Sequence, residues 1–137
     1  MVYSPMSEEM ILEGIVVHGK QLGRQLGYPT ANLGLEELKG EVPPTGVYAA
    51  RCRLADGRAF TAMVNVGFRP TVDQLSHRLS IEAHLLDFEG DLYGQRLQLS
   101  IQSRIRDERK METIDELKAQ LAEDLASVKA FSAKASF

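Results

Sequence analysis

The chain has 137 residues, of which 44% are hydrophobic and 26% are charged, a composition typical of one soluble globular domain with a single core. Its formal net charge of −3 gives no electrostatic reason to expect a DNA or RNA partner, because neutralising phosphates needs a basic surplus. The lone cysteine, Cys52, excludes an intrachain disulfide and a CxxC metal site, and no apolar run is long enough to span a membrane.

The first half of the chain predicts three short strands separated by glycine-rich loops. It opens with MVYSPMSEEM, which lacks the basic and apolar regions of a signal peptide, so we expect a cytoplasmic protein. The loops cover residues 18–32 and 40–46, and Asp56 with Gly57 forms a two-residue turn signal typical of a hairpin. The predicted strands cover residues 11–18, 47–54 and 59–66.

The clearest alternation in the sequence covers residues 79–85, after a polar loop predicted at 67–77. A period of two directs one set of side chains into a core and the other set to the opposite face. The same alternation returns at 97–101, beyond a turn predicted at 87–91. The inward set is Leu79, Ile81, Ala83 and Leu85, and the outward set is Ser80, Glu82 and His84.

Helical spacing replaces the alternation near the end of the chain, where apolar residues recur at intervals of three or four. Thr113 and Glu116 have the form of a capping box, which predicts that the helix begins there. Short strands followed by one helix predict a mostly β fold, either an antiparallel barrel or a compact sandwich, with the helix packed on it. The apolar residues of the predicted helix are Ile114, Leu117, Leu121, Leu125 and Val128.

The loop at 18–32, HGKQLGRQLGYPTAN, spaces three glycines four residues apart. The spacing matches neither GxxxxGK[ST] nor GxGxxG, so two interpretations stay open: a tight connection around the core, or backbone N–H groups that approach an anion. Thr30 and Asn32 follow the glycines. A hydroxyl and an amide oxygen suit Mg²⁺ beside a nucleotide, but the same residue types also bond local backbone in ordinary turns.

Glu82 is a candidate general base, because a strand is a rigid platform and its carboxylate faces away from the predicted core. The alternative is that Glu82 is simply solvated, as most glutamates on such faces are. His84 shares its face without any other mark of a ligand, and Cys52 is predicted to belong to the core. The charged run at 104–113 is either a solvated approach to the helix or an arginine site for an anionic or heteroaromatic ligand.

Five stretches, taken together and in order, resemble motifs of the riboflavin kinases. The likeness runs from about residue 12 to about residue 128, and five linked motifs are more specific than any one of them. We therefore expect a single domain of this kind over residues 1–137. The stretches are GRQLGYPTANL, PPTGVYAA, VNVGFRPTV, SIEAHLLDFEGDLYG and IRDERKMETIDELKAQLAEDL.

The resemblance implies a small Greek-key antiparallel β-barrel with a C-terminal α-helix. It also implies transfer of the γ-phosphoryl group of ATP to the terminal ribityl hydroxyl of riboflavin, which gives FMN and ADP. Glu82 would be the base, and Thr30 and Asn32 would bind Mg²⁺. The implied nucleotide-binding residues are Gly19, Gly23, Arg24, Gly27, Pro29, Thr30 and Asn32, and the implied flavin-binding residues are Arg106, Glu108 and Met111.

Three positions depart from the family pattern: Phe68 stands for the usual Thr, and Val72 and Met111 each stand for Phe. They leave the details of the flavin pocket open, since Met is more pliable than Phe and cannot stack as a ring. The alternative function is a non-catalytic flavin- or nucleotide-binding regulatory module on the same barrel. The retention of Glu82 speaks against it, because binding alone does not need a base.

The resemblance also implies that such a domain is a fragment of, or a partner to, an FMN adenylyltransferase. That second activity belongs to an α/β domain with an HxGH-like motif, and none of the three histidines, His18, His77 and His84, stands in one. We therefore expect the chain to make FMN and not FAD. We expect neither a nucleic acid nor a membrane as a partner.

Overall fold

The computed structural model describes residues 4–18, 27–70 and 77–135 and places them mostly in antiparallel strands followed by one helix. The elements, in chain order, are β1 (Ser4–Val17), β2 (Ala31–Leu33), β3 (Lys39–Gly40), β4 (Gly46–Leu54), β5 (Ala59–Pro70), β6 (His77–Leu85), β7 (Arg96–Arg106) and α1 (Ile114–Ala135).

Six of the strands close into a barrel in the order β1, β2, β6, β5, β4 and β7, with β7 paired back to β1. Every pair in this ring is antiparallel. β4, β5 and β6 lie side by side in chain order, and β7 returns beside β4, which makes a Greek key. The prediction of a mostly β, Greek-key barrel with a C-terminal helix is confirmed.

The alternation of side chains separates a filled barrel interior from an outer face. On β6, Ile81 and Ala83 are buried in the interior cluster, whereas Glu82 and His84 are only partly buried on the outer face. Cys52 of β4 is fully buried in the same interior cluster, as predicted. The described interior cluster therefore consists of apolar side chains, and Glu82 and His84 lie on the other side of the wall.

The helix α1 packs on the outer face of β4, β5 and β7. Its start confirms half of the predicted capping box, because the Thr113 hydroxyl accepts the N–H of Glu116 at 3.1 Å. The other half is wrong: the Glu116 carboxylate accepts the N–H of Glu112, at 3.0 Å, and not that of Thr113. Within the described ranges, no helix is both long and apolar enough to cross a membrane. The helical residues of the outer apolar cluster are Leu121, Leu125, Val128 and Phe131.

Several predicted boundaries are wrong because pairing overrides local pattern. β1 begins at Ser4, before the predicted residue 11, although its first residues show no apolar alternation. Both ends of the loop predicted at 67–77 are strand residues, because β5 continues to Pro70 and β6 begins at His77. The last part of the predicted glycine loop forms β2, which pairs with β1 and β6 and so closes the barrel.

The hairpin between β4 and β5 confirms the predicted turn but not its length. Four residues, 55–58, lie between the strands, and the Leu54 N–H donates to the Arg58 carbonyl oxygen at 2.8 Å, which closes a three-residue loop, 55–57. Gly57 has a φ of +94°, the left-handed conformation that closes a three-residue hairpin loop. The sequence signal thus marks the correct position, and the glycine takes the last place of a longer loop.

Candidate active site

Three polar side chains form a row across neighbouring strands on the outer face of the barrel. The pairing register sets Glu82 of β6 opposite Asn32 of β2 on one side and opposite Asn65 of β5 on the other. Directly opposite residues share a face of the sheet, with Cβ atoms about 5 Å apart. Glu82 is therefore flanked by two amide side chains, in a polar row that regularly paired strands support.

A cavity of about 360 Å³ opens between this outer face and α1. Strand residues form one wall, Leu117 and Leu121 of α1 form the opposite wall, and the segment between β7 and α1 forms the rim. Apolar walls with a few convergent polar groups are typical of small-molecule sites. The residues from the sequence prediction that line this cavity together are Thr30, Glu82, Arg106, Glu108 and Met111.

Thr30 also lines a second cavity, of about 90 Å³, together with Pro29 and Asn32. At its edge the rings of His18 and Tyr93 are stacked, with centroids 3.8 Å apart. Of the residues that the structure describes, Thr30 is the only one that lines both cavities. The two spaces therefore meet at this residue.

Arg106 borders the larger cavity, but its guanidinium is bound by the protein itself. Its Nε and Nη2 donate to the two carboxylate oxygens of Asp124, at 2.7 and 2.8 Å, and its Nη1 donates to the Asp107 carbonyl oxygen at 3.0 Å. Asp124 is only 1% exposed and also accepts a hydrogen bond from Gln120 at 2.9 Å. This bidentate pair ties the end of β7 to α1 and so fixes the helical wall of the cavity.

Glu108 lies on the rim, against Gly67 of β5. A Cβ atom at Gly67 would collide with the Glu108 carboxylate, so the glycine makes room for it. Burial raises the pKa of Glu108 above its usual value, the Arg106 guanidinium opposes this shift, and the Glu82 carboxylate adds to it. The carboxylates of Glu82 and Glu108 thus belong to residues that line the same cavity.

The structure reaches only part of the predicted phosphate loop. Gly19, Gly23 and Arg24 lie outside the described residues, and their role stays a prediction. Gly27 is described and has a φ of +90°, a left-handed conformation that favours glycine. Pro29 follows it, next to Thr30, so the described end of the loop leads directly to the junction of the two cavities.

The described residues offer no cluster of carboxylates and imidazoles that could bind a metal without other ligands. No group of three or more His, Cys, Asp or Glu side chains that could bind a metal occurs among residues 4–18, 27–70 and 77–135. Thr30 and Asn32, whose side chains carry a hydroxyl and an amide oxygen, both line the smaller cavity. Hard oxygen donors of this kind suit Mg²⁺, which usually takes the rest of its ligands from water and phosphate.

The departures from the family pattern fall in different places. Phe68 is 60% exposed on β5 and lines neither cavity, so it leaves the larger cavity unchanged. Met111 lines that cavity, and its side chain replaces a ring with a flexible thioether. Val72 lies outside the described residues.

Sequence reasoning missed several residues that line the larger cavity. Asn65 and Asp124 are far from Glu82 and Arg106 in sequence, and only strand register and helix placement bring them together. The position of His84 in the cavity wall could have been predicted from the sequence, because it shares the outward face of β6 with Glu82 two residues away. Tyr28 lies beside His84, edge to face with ring centroids 5.8 Å apart.

Comparison with known proteins gives consistent matches. The family model described as riboflavin kinase matches residues 6–132. The bifunctional riboflavin kinase/FMN adenylyltransferase of Haemophilus influenzae is 42% identical over 118 residues, which are 86% of this chain and 37% of that protein. Curated relatives from Bacillus subtilis and Pseudomonas fluorescens carry the same name, and this chain spans 37% and 38% of their lengths.

Two solved structures share the fold. One, named a macrolide-efflux protein from Streptococcus pneumoniae, has a TM-score of 0.77 and 34% identity, over 87% of this chain and 38% of that chain. The other, a riboflavin kinase from Trypanosoma brucei, has a TM-score of 0.69 over 98% of this chain and 83% of that chain. Its 19% identity makes it a likeness of fold alone.

Proposed function

The chain belongs to the riboflavin kinase family, and on that basis we propose that it transfers the γ-phosphoryl group of ATP to the terminal ribityl hydroxyl of riboflavin, giving FMN and ADP. The observation that carries the proposal is the junction of two cavities at Thr30, with Glu82 facing the larger one. A reaction between two substrates needs such a junction, because phosphoryl transfer depends chiefly on holding the hydroxyl and the phosphate in line.

Riboflavin occupies the larger cavity in this proposal, since the apolar helical wall suits a flat heteroaromatic ring. Its ribityl chain then extends along β6 towards Glu82 and Thr30, and Arg106, Glu108 and Met111 border the ring. The phosphates of the nucleotide lie at the smaller cavity, against Pro29, Thr30 and Asn32. The glycine loop, with Gly19, Gly23, Arg24 and Gly27, completes their binding site.

Thr30 and Asn32 would hold Mg²⁺ through the hydroxyl and the amide oxygen. When bound there, the ion neutralises charge on the phosphate oxygens. Glu82 orients the ribityl hydroxyl and accepts its proton as the hydroxyl oxygen bonds to the γ-phosphorus. The bond between that phosphorus and the bridging oxygen breaks, and ADP leaves with its electron pair. α1 covers the site and limits the access of water, which would otherwise compete as an acceptor.

The direct test is incubation of the protein with riboflavin, ATP and Mg²⁺, followed by chromatography. FMN and ADP should appear in equal amounts. Glu82→Gln should lower turnover by about 10²-fold or more, the usual scale for a lost general base, while riboflavin still binds. Glu37→Gln is the matched control, because Glu37 is exposed and lines neither cavity. Binding of riboflavin without any FMN would instead support the regulatory module.

Nucleotide binding provides a second, separate test. Thr30→Ala should weaken MgADP binding in calorimetry much more than it weakens riboflavin binding in the absence of nucleotide. An unchanged affinity for MgADP would remove Thr30 from the cation site. We also propose that residues 1–137 carry the kinase as one domain, so the same chromatography should show FMN and no FAD. Formation of FAD by the purified chain would show that a second activity resides in it.

A further inference from the structure

His84 joins the start of the nucleotide site to the wall that carries the base. It lies on the outer face of β6 and lines the larger cavity. Its Nδ1 is 2.7 Å from the carbonyl oxygen of Pro29, and its ring meets Tyr28 edge to face at an interplanar angle of 72°. The side chain of His84 therefore contacts both Tyr28 and Pro29, the two residues that precede Thr30.

The chemistry of this contact fixes the tautomer of His84. A carbonyl oxygen can only accept a hydrogen bond, so Nδ1 must carry the hydrogen. In the neutral ring Nε2 then has the lone pair. An asparagine at position 84 could place its amide N–H near the position of Nδ1, whereas phenylalanine keeps the ring and loses the donor.

The contact lies where regular strand pairing ends. β2 begins at Ala31, which pairs with Ala83, and Asn32 pairs with Glu82. Continuing this register by one residue sets Thr30 opposite His84, beyond the last ladder pair. The bond from His84 to Pro29 thus extends the attachment of β2 to β6 past the ladder, at the residue before Thr30.

The local sequence makes this single bond effective. The ring of Pro29 fixes its own φ, and it restricts Tyr28 to extended conformations. A short stiff segment needs few contacts to be placed, and a bond to the Pro29 carbonyl acts on the peptide unit that leads into Thr30. His84 also lies two residues from Glu82 on the same strand, so one rigid element positions both side chains.

We propose that His84 is a positioning residue that fastens the Pro29–Thr30 segment to β6, so that Thr30 and Glu82 keep the relative placement that the reaction requires. The inference rests on the proposed kinase function. It assigns His84 to the nucleotide side of the reaction, although the side chain lines the cavity given to riboflavin.

The test compares His84→Phe and His84→Asn in the full chain. His84→Phe should lower kcat/KM for MgATP and weaken MgADP binding by about tenfold, the scale of one lost hydrogen bond. His84→Asn should restore both to within about threefold, because it returns a donor. In both variants the dissociation constant of riboflavin should change much less than that of MgADP in His84→Phe, and the thermal midpoint should fall by no more than a few degrees, the scale of one lost hydrogen bond.

A double-variant cycle separates the alternatives. If His84 acts through Thr30, His84→Phe should have little further effect on MgADP binding once Thr30→Ala is present. Additive losses, a loss confined to riboflavin binding, or equal defects in His84→Phe and His84→Asn would each overturn the proposal. The calorimetry with MgADP does not depend on turnover, so a chain that makes no FMN would refute the kinase function while the attachment could still be measured.

Discussion

Asp124→Asn tests whether the ion pair with Arg106 holds the helical wall of the larger cavity. The substitution keeps the shape of the side chain and removes its charge. One carboxylate oxygen becomes an amide NH₂, which then points a donor at the donors of the guanidinium. The volume is unchanged, so the result reports the interaction and not a cavity.

The size of the effect follows from the burial of the pair. Removing one partner of a buried ion pair costs about 3–5 kcal/mol, because the other charge stays buried without compensation. The Asp124 side chain is 1% exposed and the Arg106 side chain 18% exposed, so some water reaches the guanidinium. We therefore expect the low end, about 3 kcal/mol, which for a chain of this length lowers the thermal midpoint by about 10 °C.

Urea unfolding at neutral pH measures this free energy. Glu13→Gln is the control, because its pair with Arg96, at 3.1 Å, joins side chains that are 30% and 41% exposed. Breaking such a pair should cost less than about 1 kcal/mol. The double variant Arg106→Met with Asp124→Leu should be more stable than Asp124→Asn, since it leaves no buried charge. A loss below about 1 kcal/mol in Asp124→Asn would refute the reasoning.

Three further predictions concern the rest of the described chain. Cys52 is buried and its pKa is raised to about 12, so a thiol reagent should label it only when the protein unfolds, and rapid labelling of the native protein would contradict this. Gly40→Ala should lower the urea midpoint more than Gly57→Ala. Both glycines have positive φ, but of the two only Gly40 would place a new Cβ against a carbonyl oxygen, that of Ile11. Equal urea midpoints for the two variants would show that this clash is relieved. The pKa of Glu108 is raised in the folded state, so the stability that protonated Glu108 contributes is full below its unfolded pKa and is lost as the pH rises through its folded pKa. The free energy of unfolding of Glu108→Gln should therefore rise relative to that of the parent across this pH range. A difference between the two free energies that does not change with pH would contradict the shift.

The sequence predicted the elements whose signals are local. The alternation of β6 and the helical spacing of α1 depend on neighbouring residues, and both elements are found where the pattern predicts them. β2 and the first part of β1 could not be predicted, because their strand form depends on partners elsewhere in the barrel. β2 has only three residues, and pairing with β1 and β6 is what makes it a strand.

In the candidate site, too, only the features with a local sequence signal could be predicted. The outward face of Glu82 could be predicted from alternation, and Thr30 and Asn32 became candidates through their oxygen donors and through the resemblance. The partner of Arg106 could not be predicted, because the contact with Asp124 depends on the placement of α1 against the end of β7. The two amides beside Glu82 likewise come from other strands, and only the register sets them level with it.

The register of β6 therefore sets the position of Glu82, the proposed base, as well as the packing of the barrel. Ile81 and Ala83 fill the barrel interior, and this fixes Glu82 on the outer face. A slip of one residue would exchange the two faces, so interior packing excludes the slip that would move the carboxylate inside. The outer face is, however, open to water unless something covers it, and α1 is the element that does so. The barrel thus determines where Glu82, the proposed base, stands, and the Arg106–Asp124 pair helps to hold the helix that lies over it. It follows that loosening α1 should impair the reaction before the barrel itself unfolds.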